Sequence, residues 1–584
     1  MNKSSDIMLV KRTFRGVLTA QLFSFLAQFV ALVVDGVVIG KCPGTDNLAA
    51  YGFSSTIVSI VVAFAGFTMT GVSIICARSI GNTKNDAKES IFTTCMVFAG
   101  LLSVVLTIVI VGFSSQWASL VGASGSIRDL TASYIRGYGI GIIPLIMVAS
   151  LFPIMQLDGD RNRMTVSFVA MAFADIVLDL VNGFVIKGGI FGMGLATSIS
   201  SVVAMLIMLG HFVGRETVFR FRISSFKASH IPEIIIFGYM YIVKQFFMAL
   251  LAFICNRYLQ TRYGTDMVAV YAAIISAGRL FLCVGMATGN TVSILTGVYA
   301  GEEDARSLRK MMKVAISDSL IVNGVLTVIA VLVATPLVSA YFRERGELLD
   351  TTVAGFRIYI ILMAFRSVNL CLRGYYQGMK KQVLTLCLCF FQNFACTLVC
   401  MLVLDMIFGI TGVWIAFVAG EAMTFLLFVL YSQMKCKGKS GILEKLLFIP
   451  HDFETGDRQS VERTLTSMDD VMNFSREVPD FCRNLGATDK QANEIALAIE
   501  ELAGNIVRWG FNDHKSHAID TKVELKNDVW MIRLRDDCAK FNPVKYLDER
   551  EDSPEHNGIK MTVGRAKEFS YMNTLNMNNL IIKV

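Results

Sequence analysis

Charged residues are scarce in this sequence, and several short functional motifs are missing from it. Only 17% of the 584 residues are charged and 54% are hydrophobic, whereas an ordinary soluble domain is about 25% charged. No Gly-x-x-x-x-Gly-Lys-Ser/Thr loop occurs, which argues against transport driven by ATP hydrolysis. The 13 cysteines include no Cys-x-x-Cys pair and no zinc-type Cys/His spacing. We therefore expect them to pack between helices, and the composition predicts a membrane protein.

Long apolar runs continue to about residue 432, and the chain is polar after Lys435. Because a membrane-spanning helix needs about 20 apolar residues, we predict twelve spans. They are 15–40, 51–77, 91–113, 132–156, 165–187, 190–213, 233–256, 267–297, 312–340, 353–377, 382–407 and 410–433. The first run is too long for a signal peptide and has no small-residue cleavage site. The expected fold class is an all-α polytopic membrane protein that carries a small α/β domain.

Basic residues are concentrated in alternate loops between the predicted spans. The richest of these loops lie at 78–88, 215–227 and 306–313, and basic residues also follow the last span at 435–439. The positive-inside rule then places both termini and the α/β domain in the cytoplasm. An even number of spans requires the same arrangement. We expect a multi-pass protein of the cell membrane, with the lipid bilayer as its surroundings.

The predicted membrane part repeats itself after 220 residues. Gly44-Thr45-Asp46 returns as Gly264-Thr265-Asp266, and Gly189-Ile190 returns as Gly409-Ile410. Six spans in each half give two parallel repeats, an architecture that places a substrate cavity between the halves. The expected domains are a six-helix half at 1–220, a second at 221–434, a linker at 435–455 and the α/β domain at 456–584.

Two carboxylates stand out in the fifth predicted span. Asp175 and Asp179 are four residues apart, so they lie on the same helix face. A charged residue in a span costs about 2.5 to 3.5 kcal/mol on insertion scales, which favours a role in function. In the second half the equivalent residues are Ala395 and Val399. The asymmetry predicts one ion site, in the N-terminal half.

Residues around this pair resemble motifs of the multidrug and toxic compound extrusion (MATE) family. Residues 34–40 are similar to its V-D-x-x-x-x-G, and the fifth span is similar to its N-x-x-x-D, with Asp175 in place of asparagine. Residues 194–197 resemble its G-A-x-A-T. The resemblance covers residues 12–434 and implies a cation site at Asp35, Asp175, Asp179 and Thr197. Because Asp175 departs from the motif, both H⁺ and Na⁺ remain open as the coupling ion.

The resemblance implies a secondary transporter and not an enzyme, with no catalytic residues and no cofactor for transport. It would export organic cations or similar small molecules in exchange for H⁺ or Na⁺. One alternative is a flippase for a lipid-linked precursor, from the same superfamily. Another is a membrane sensor whose soluble domain signals to a protein partner. No basic surface interleaved with aromatic residues indicates a nucleic-acid partner. Among the polar residues within spans, Arg366 and Glu421 are candidates to pair.

The soluble part, with a predicted helix at 488–510 and strands at 521–525, 529–535 and 580–583, resembles the histidine-kinase-like ATPase fold. Glu501 and Asn505 are similar to its E-x-x-x-N motif, and residues 536–543 are similar to the D-x-G-x-x-F-x-P of its anti-sigma serine kinase branch. Residues 556–561, which include Gly558, resemble its lid motif. The resemblance implies that Asn505 holds Mg²⁺, that Glu501 positions the attacking group and that Asp536 accepts from adenine.

Two positions depart from this ATPase pattern. Cys538 and Lys560 stand where the family has glycines that let the backbone approach the nucleotide. Two alternatives follow: the domain binds Mg-ATP, or it keeps the fold and works as a regulatory module that binds a protein.

Overall fold

The structure is a computed structural model, and it describes most of the chain. Described are residues 7–41, 45–80, 85–213, 217–339, 346–436, 438, 441–451, 453, 459–513, 516–526, 528–543, 545–546 and 557–584. Within these ranges, the side chains of residues 28–41, 45–49, 85–86, 265, 280 and 557–559 lie outside the description.

Helices make up the N-terminal half. In chain order they are α1 (Met8–Lys41), α2 (Thr45–Ile80), α3 (Asn85–Gly112), α4 (Ser114–Leu120), α5 (Gly125–Gly139), α6 (Ile142–Leu157), α7 (Arg161–Val181) and α8 (Gly189–Leu209). Helices α5 and α6 follow each other with a 47° bend between them and together are long and apolar enough to cross a membrane. At the bend, a Cβ on Gly141 would lie 2.6 Å from Ser198 Cα of α8, so glycine allows the two helices to approach closely.

The C-terminal half repeats this order. Its helices are α9 (Ile231–Tyr263), α10 (Thr265–Gly301), α11 (Ala305–Leu332), α12 (Ala334–Ser339), α13 (Glu347–Ile360), α14 (Leu362–Gly378), α15 (Gln382–Phe390), α16 (Cys396–Phe408) and α17 (Ile410–Lys435). A π-helical turn, Phe391–Ala395, joins α15 to α16. A short helix, α18 (Ile442–Leu447), follows within the segment that the sequence predicts as a linker, and its Leu446 and Leu447 are buried.

The described residues contain ten helices that are long and apolar enough to cross a membrane, or eleven if the bent α5–α6 pair is one span. These eleven correspond to the second to twelfth predicted spans. Helix α1 corresponds to the first, and its 34 residues exceed the roughly 20 that a span requires. Hydropathy thus predicts where the helices lie, but not where they bend.

Equivalent positions in the two halves have similar backbone geometry. Helices α2 and α10 begin at Thr45 and Thr265, which are 220 residues apart. Gly189 and Gly409, also 220 apart, have φ of +64° and +57° at the starts of α8 and α17. A side chain is strained at such φ values, so glycine is retained at this turn in both copies.

A separate core forms in the soluble domain. Its strands are β1 (Ser460–Leu465), β2 (Ile519–Lys526), β3 (Val529–Asp536), β4 (Glu568–Thr574) and β5 (Met577–Lys583), and its helices are α19 (Met468–Asn484), α20 (Asp489–Asn505) and α21 (Asn557–Arg565). The antiparallel sheet has the order β1-β2-β3-β5-β4. The three predicted strands are β2, β3 and β5, whereas β1, β4 and α19 were not predicted.

The two faces of the sheet pack against different partners. On β3, Ile532 and Leu534 belong to the core formed with the domain's own helices. The intervening Arg533 and Arg535 are also buried, and they bind acidic residues of the helical bundle. This alternation follows the two-residue period of a strand. The second face of the sheet is therefore a polar docking surface on the bundle.

Candidate functional site

Helix α7 holds the two predicted acidic residues inside the N-terminal half. It is capped at its start, where the side chain of Asp160 accepts a hydrogen bond from the backbone amide of Arg163 at 3.2 Å. Helix α7 packs against α1 and α8. Asp175 and Asp179 are 4% and 1% exposed, so both carboxylates point into the protein and not to lipid.

Helix α8 supplies hydroxyl groups to this site. Ser200 Oγ lies 3.1 Å from Asp175 Oδ1, and the side chain of Thr197 is a second hydrogen-bonding group near that carboxylate. Ser200 and Ser201 each also reach the carbonyl oxygen of Thr197 at 2.9 Å. The phenol of Tyr138, on α5, is close enough to interact electrostatically with Asp175. Two helices, α5 and α8, thus contribute polar groups around one carboxylate of α7.

Small residues allow α5 and α8 to pack backbone against backbone. A Cβ on Gly137 would lie 2.4 Å from Phe191 O, and one on Gly194 would lie 2.6 Å from Tyr134 O. Ser198 Oγ bonds to the carbonyl oxygen of Gly137 at 2.7 Å. Close approach through small residues is the usual way in which membrane helices associate. This contact fixes the position of α8, and therefore of Ser200, beside α7.

The helix after Asp179 widens into a π-helical turn, Asn182–Ile186. Asn182 is buried, and its side-chain amide donates to the carbonyl oxygen of Gly189 at 3.0 Å. This bond ties the end of α7 to the start of α8. Single π-helical turns are frequent at functional sites.

The structure brings three of the four predicted cation-site residues together: Asp175, Asp179 and Thr197. The fourth, Asp35, belongs to α1, but its side chain lies outside the described residues. Ser200 and Asn182 were not predicted. Asn182 follows Asp179 by three residues on the same helix face, so its spacing was a usable signal. Ser200 is one of several serines on α8, and no spacing distinguishes it.

The donor set at this site is two carboxylates and hydroxyl oxygens. Oxygen ligands suit a hard cation such as Na⁺, and two buried carboxylates on one helix face are equally able to share a proton. The chemistry of the site therefore fits either coupling ion.

The C-terminal half contains a second buried polar cluster, around Glu421 on α17. Arg366 Nη1 lies 3.5 Å from Glu421 Oε1, which confirms the pairing that the sequence suggested. Asn369 and Gln392 donate their side-chain amides to Glu421 Oε2 at 2.8 and 3.1 Å. The cluster joins α14, the π-helical turn Phe391–Ala395 and α17.

A family model described as MatE matches residues 21–181 and 241–411, more than half of the chain. The chain belongs to the MATE family. Its members are secondary transporters and not enzymes. The matched residues lie in both helical halves and include Asp175, Asp179 and Gln392. The match does not extend to the soluble domain.

Relatives of this MATE chain include bacterial proteins. It is 21% identical over 342 residues to the probable multidrug resistance protein YoeA of Bacillus subtilis, covering 56% of this chain and 72% of the relative. It is 21% identical over 404 residues to the multidrug export protein MepA of Staphylococcus haemolyticus, covering 68% and 87%. A crystal structure of MATE in complex with MaL6 superposes with a TM-score of 0.70 at 19% identity, covering 76% and 100%. At this identity the superposition supports the fold alone.

The soluble domain contacts the N-terminal MATE half at the turn between α6 and α7, at the start of α1 and on α3, where Lys88 Nζ lies 2.7 Å from Met572 Sδ of β4. The turn between β4 and β5 meets the turn between α6 and α7, where the backbone amide of Leu575 donates to Leu157 O at 3.1 Å. Arg161 Nη2 donates to Leu575 O at 2.8 Å. At the start of α1, Arg12 forms an ion pair with Asp537 of the soluble domain.

The same domain contacts the C-terminal MATE half through the loop between α10 and α11. Arg533 bonds to Glu302 Oε2 at 3.1 Å and to Asp304 Oδ2 at 2.7 Å, and Arg535 bonds to Glu302 Oε1 at 2.5 Å. Burial favours the protonated form of Asp304, but Arg533 and Lys522 outweigh it and hold the pKa of that carboxyl well below its usual range. The docking contact is therefore a buried, ionised network.

The two MATE halves also contact each other on the side that carries the domain. Arg15 of α1 binds both carboxylate oxygens of Asp318 on α11, at 2.7 and 2.9 Å. A Cβ on Gly297 of α10 would lie 2.7 Å from the Cβ of Ala77 on α2. The domain therefore bridges two halves that are already packed together on this side.

The predicted nucleotide residues lie in neighbouring elements of the soluble domain. Glu501 and Asn505 are half-buried on α20, and a Cβ on Gly510, just beyond that helix, would lie 2.9 Å from Cys538 Sγ. Asp536 Oδ1 accepts from Asn578 Nδ2 at 2.9 Å and from the Cys538 amide at 3.0 Å. Burial raises the pKa of Asp536. Protein groups thus already donate to one of the two oxygens of the carboxylate that is expected to meet adenine.

A cleft of about 1290 Å³ lies between the domain and the N-terminal half. His517, Asp537 and Cys538 line it, with one potential metal-ligand atom each, all within 4.8 Å of one another. Both ring nitrogens of His517 are already bonded, Nδ1 to Asp537 at 3.0 Å and Nε2 to Asp513 at 2.6 Å. This geometry is that of an imidazole between two carboxylates. The remaining predicted residue, Gly558, lies outside the described side chains.

Proposed function

We propose that this protein exports small molecules across the cell membrane in exchange for H⁺ or Na⁺ bound at Asp175 and Asp179. The observation that carries the proposal is the burial of both carboxylates on one face of α7, with Ser200 bonded to Asp175. The names of the relatives, which describe multidrug resistance and export, support this direction of transport.

The coupling follows from the charge of the site. A bound cation neutralises the carboxylates, which lets the helices of the N-terminal half pack more closely. Its release restores the charge and favours the arrangement that binds substrate. Because coupling between two sites is reciprocal, substrate binding must weaken ion binding by the same factor. The family resemblance indicates organic cations among the substrates.

The soluble domain regulates this exchange from the cytoplasmic side. The basic loops support that orientation, since they lie on the side of the bundle where the domain docks. Opening the bundle on this side requires the two halves to separate, and the domain holds residues of both, Leu157 and Asp304 among them. A docked domain therefore favours the state that is closed to the cytoplasm.

Everted vesicles test the transport proposal. An imposed H⁺ or Na⁺ gradient is expected to drive uptake of a fluorescent organic cation, and Asp179→Asn is expected to abolish it. Asp350→Asn is the matched control, because Asp350 is an exposed carboxylate on α13. Undiminished gradient-driven uptake by Asp179→Asn would remove the ion site.

Mg-ATP binding by the domain stays a prediction. The contact between Gly510 and Cys538 favours it, because it brings the helix with Glu501 and Asn505 next to the Asp536 segment. The hydrogen bond from Asn578 to Asp536 opposes it, because it uses a carboxylate oxygen that adenine would need. Calorimetric titration of the full-length protein with Mg-ATP separates the alternatives. A heat of binding that the wild-type protein shows and Asn505→Ala does not would support a nucleotide site. If the wild-type protein shows no heat of binding, docking on the bundle remains as the role of the domain.

A further inference from the structure

Three basic side chains lie together inside the C-terminal half: Lys244 on α9, and Arg366 and Arg373 on α14. Lys244 is only 8% exposed. Each of the three is close enough to the others to interact electrostatically. Glu421 is the carboxylate at this cluster, and it pairs with Arg366 at 3.5 Å. Three cations thus share one described anion.

Lys244 and Arg373 have no hydrogen-bond acceptor and no ion-pair partner among the residues that the structure describes. The ammonium group of Lys244 lies 3.8 Å from the centre of the Tyr241 ring, a contact that offsets only part of the cost of burying the charge. An uncompensated buried charge is unfavourable unless an anion approaches it.

Neighbouring polar atoms are also unsatisfied. Arg366 Nε, Asn369 Oδ1 and Gln392 Oε1 are buried and have no hydrogen-bond partner in the described part of the chain. Buried polar groups in native proteins are nearly always bonded, so several unsatisfied atoms in one place call for an explanation. A bound polar molecule, with its water, supplies the missing partners.

The cluster is placed where a transporter holds its substrate. Lys244 is 13 residues into α9, or about 20 Å along the helix from the side that carries the domain, which is near the middle of a bilayer. Helix α9 packs on α2 of the other half, with Tyr241 against Gly66 and Phe67 against Gly238. Arg366 is 19% exposed, so its side chain is not fully enclosed by the helices.

We propose that Lys244, Arg366 and Arg373 bind the carboxylate or phosphate group of a transported molecule. The inference rests on the proposed export function. It narrows the substrates to molecules that carry an acidic group, zwitterions included. The two halves then have separate tasks, because Asp175 and Asp179 bind the coupling cation while the basic cluster binds the anionic end of the substrate.

Two dyes with one ring system provide the probes: rhodamine 110, which has a free carboxylate, and rhodamine 123, its methyl ester. Fluorescence polarisation with the full-length protein in nanodiscs is expected to show tighter binding of the free acid. Lys244→Met should weaken binding of the acid about tenfold, the effect of losing one charged hydrogen bond, and leave the ester unchanged. Lys244→Arg, which keeps the positive charge, should retain the preference for the free acid. Glu421→Gln should strengthen binding of the acid, because it removes the competing carboxylate.

Equal binding of the two dyes, tighter binding of the ester or binding of neither overturns the proposal. A preference for the acid that survives both Lys244→Met and Arg366→Gln overturns it as well. Because the measurement needs no ion gradient, it separates this inference from the export function. A dye preference without gradient-driven uptake in vesicles would refute ion coupling and leave the anion site standing.

Discussion

Arg533 in the soluble domain lies 2.7 Å from Asp304, at the start of α11 in the membrane bundle, and the two side chains are 9% and 1% exposed. The same Asp304 caps α11, because its Oδ1 accepts from the backbone amide of Ser307 at 2.8 Å. One carboxylate therefore both starts a transport helix and anchors the domain. Any movement of α11 during transport must be transmitted to this contact.

Replacing Asp304 by Asn is expected to release the domain. Asparagine still caps a helix, so α11 should remain intact, but Arg533 loses one of its two carboxylate partners and keeps only Glu302. Removing one member of a buried pair costs about 3 to 5 kcal/mol. Spin labels at the exposed positions Asp528 and Lys313 should report a longer and broader distance distribution. Gradient-driven uptake in vesicles should rise, since the docked domain holds the bundle closed.

The pair between Lys526 and Glu303, at the same interface, provides the control. Both side chains are about half exposed, at 47% and 49%, and exposed pairs contribute about 0 to 1 kcal/mol. Lys526→Ala should leave the label distance unchanged. If Asp304→Asn behaves in the same way, the network does not hold the domain.

Docking should weaken as the pH rises from about 4.5 to 7. In the docked domain the pKa of Glu462 is raised to about 7, chiefly by burial. The carboxylates of Asp304 and Asp520 add to this rise in pKa, and Arg533 and Arg306 oppose it. In the undocked domain its pKa should be near the ordinary value of about 4.3. Between these values the docked form keeps a proton that the undocked form has lost, so rising pH favours release.

The same label pair tests this pH dependence. The longer distance should gain population between pH 5 and 7 and change little above that range. Glu462→Gln cannot ionise, so its docking should be insensitive to pH in this window. Asp304 does not interfere, because its pKa is lowered and it stays ionised throughout. A pH response that Glu462→Gln retains would assign the titration to another group.

Ser200→Ala should change the affinity for the coupling ion in opposite directions for H⁺ and Na⁺, because the hydroxyl donates to the proton-free Asp175 carboxylate but offers its oxygen to a metal cation. The substitution removes the hydroxyl bonded to Asp175, and a hydrogen bond to a charged group contributes about 1.5 to 3 kcal/mol. The concentration for half-maximal uptake should fall about tenfold or more if the coupling ion is H⁺, and rise by a similar factor if it is Na⁺. Ser201→Ala is matched, since both serines reach Thr197 O but the described contact with Asp175 is made by Ser200. Equal changes of the half-maximal ion concentration in the two variants would assign the effect to the packing of α8 and not to the hydrogen bond with Asp175.

Gly194→Ala should destabilise the N-terminal half. The new Cβ would meet Tyr134 O at 2.6 Å and Tyr138 N at 2.7 Å. These are backbone atoms that cannot rotate away, and overpacking costs about 1 to 3 kcal/mol. Gly100→Ala in α3 is the control, because its Cβ would have no neighbour within 4 Å. Thermal unfolding followed by intrinsic fluorescence should show a lower Tm for Gly194→Ala alone.

Hydropathy and the 220-residue repeat predict most of the helices because burial in lipid requires long apolar segments. They do not predict the bend between α5 and α6 or the π-helical turns. Those features depend on contacts such as Gly141 against Ser198, which join separate helices. Similarly, alternation predicts β2 and β3, whereas β1 and β4 lie at the sheet edges and have weaker patterns.

The acidic pair of the site could be predicted because Asp175 and Asp179 share one helix face. Ser200 could not, since its role depends on how α8 rotates against α7. The contact between Arg533 and Asp304 is also beyond sequence reasoning, because 229 residues separate the two. The sequence shows that each is charged, but only the fold shows that they meet.

Strand β3 packs against the helices of its own domain on one face and binds the helical bundle on the other. A change in its length would therefore disrupt both sets of contacts. Inserting one residue ahead of Arg533 would turn the two guanidinium groups toward the hydrophobic core of the domain and turn Leu534 toward the acidic loop between α10 and α11. Such a change would damage the soluble fold and its attachment together. Homologous chains that keep the fusion should therefore tolerate many substitutions in this strand but no insertions or deletions.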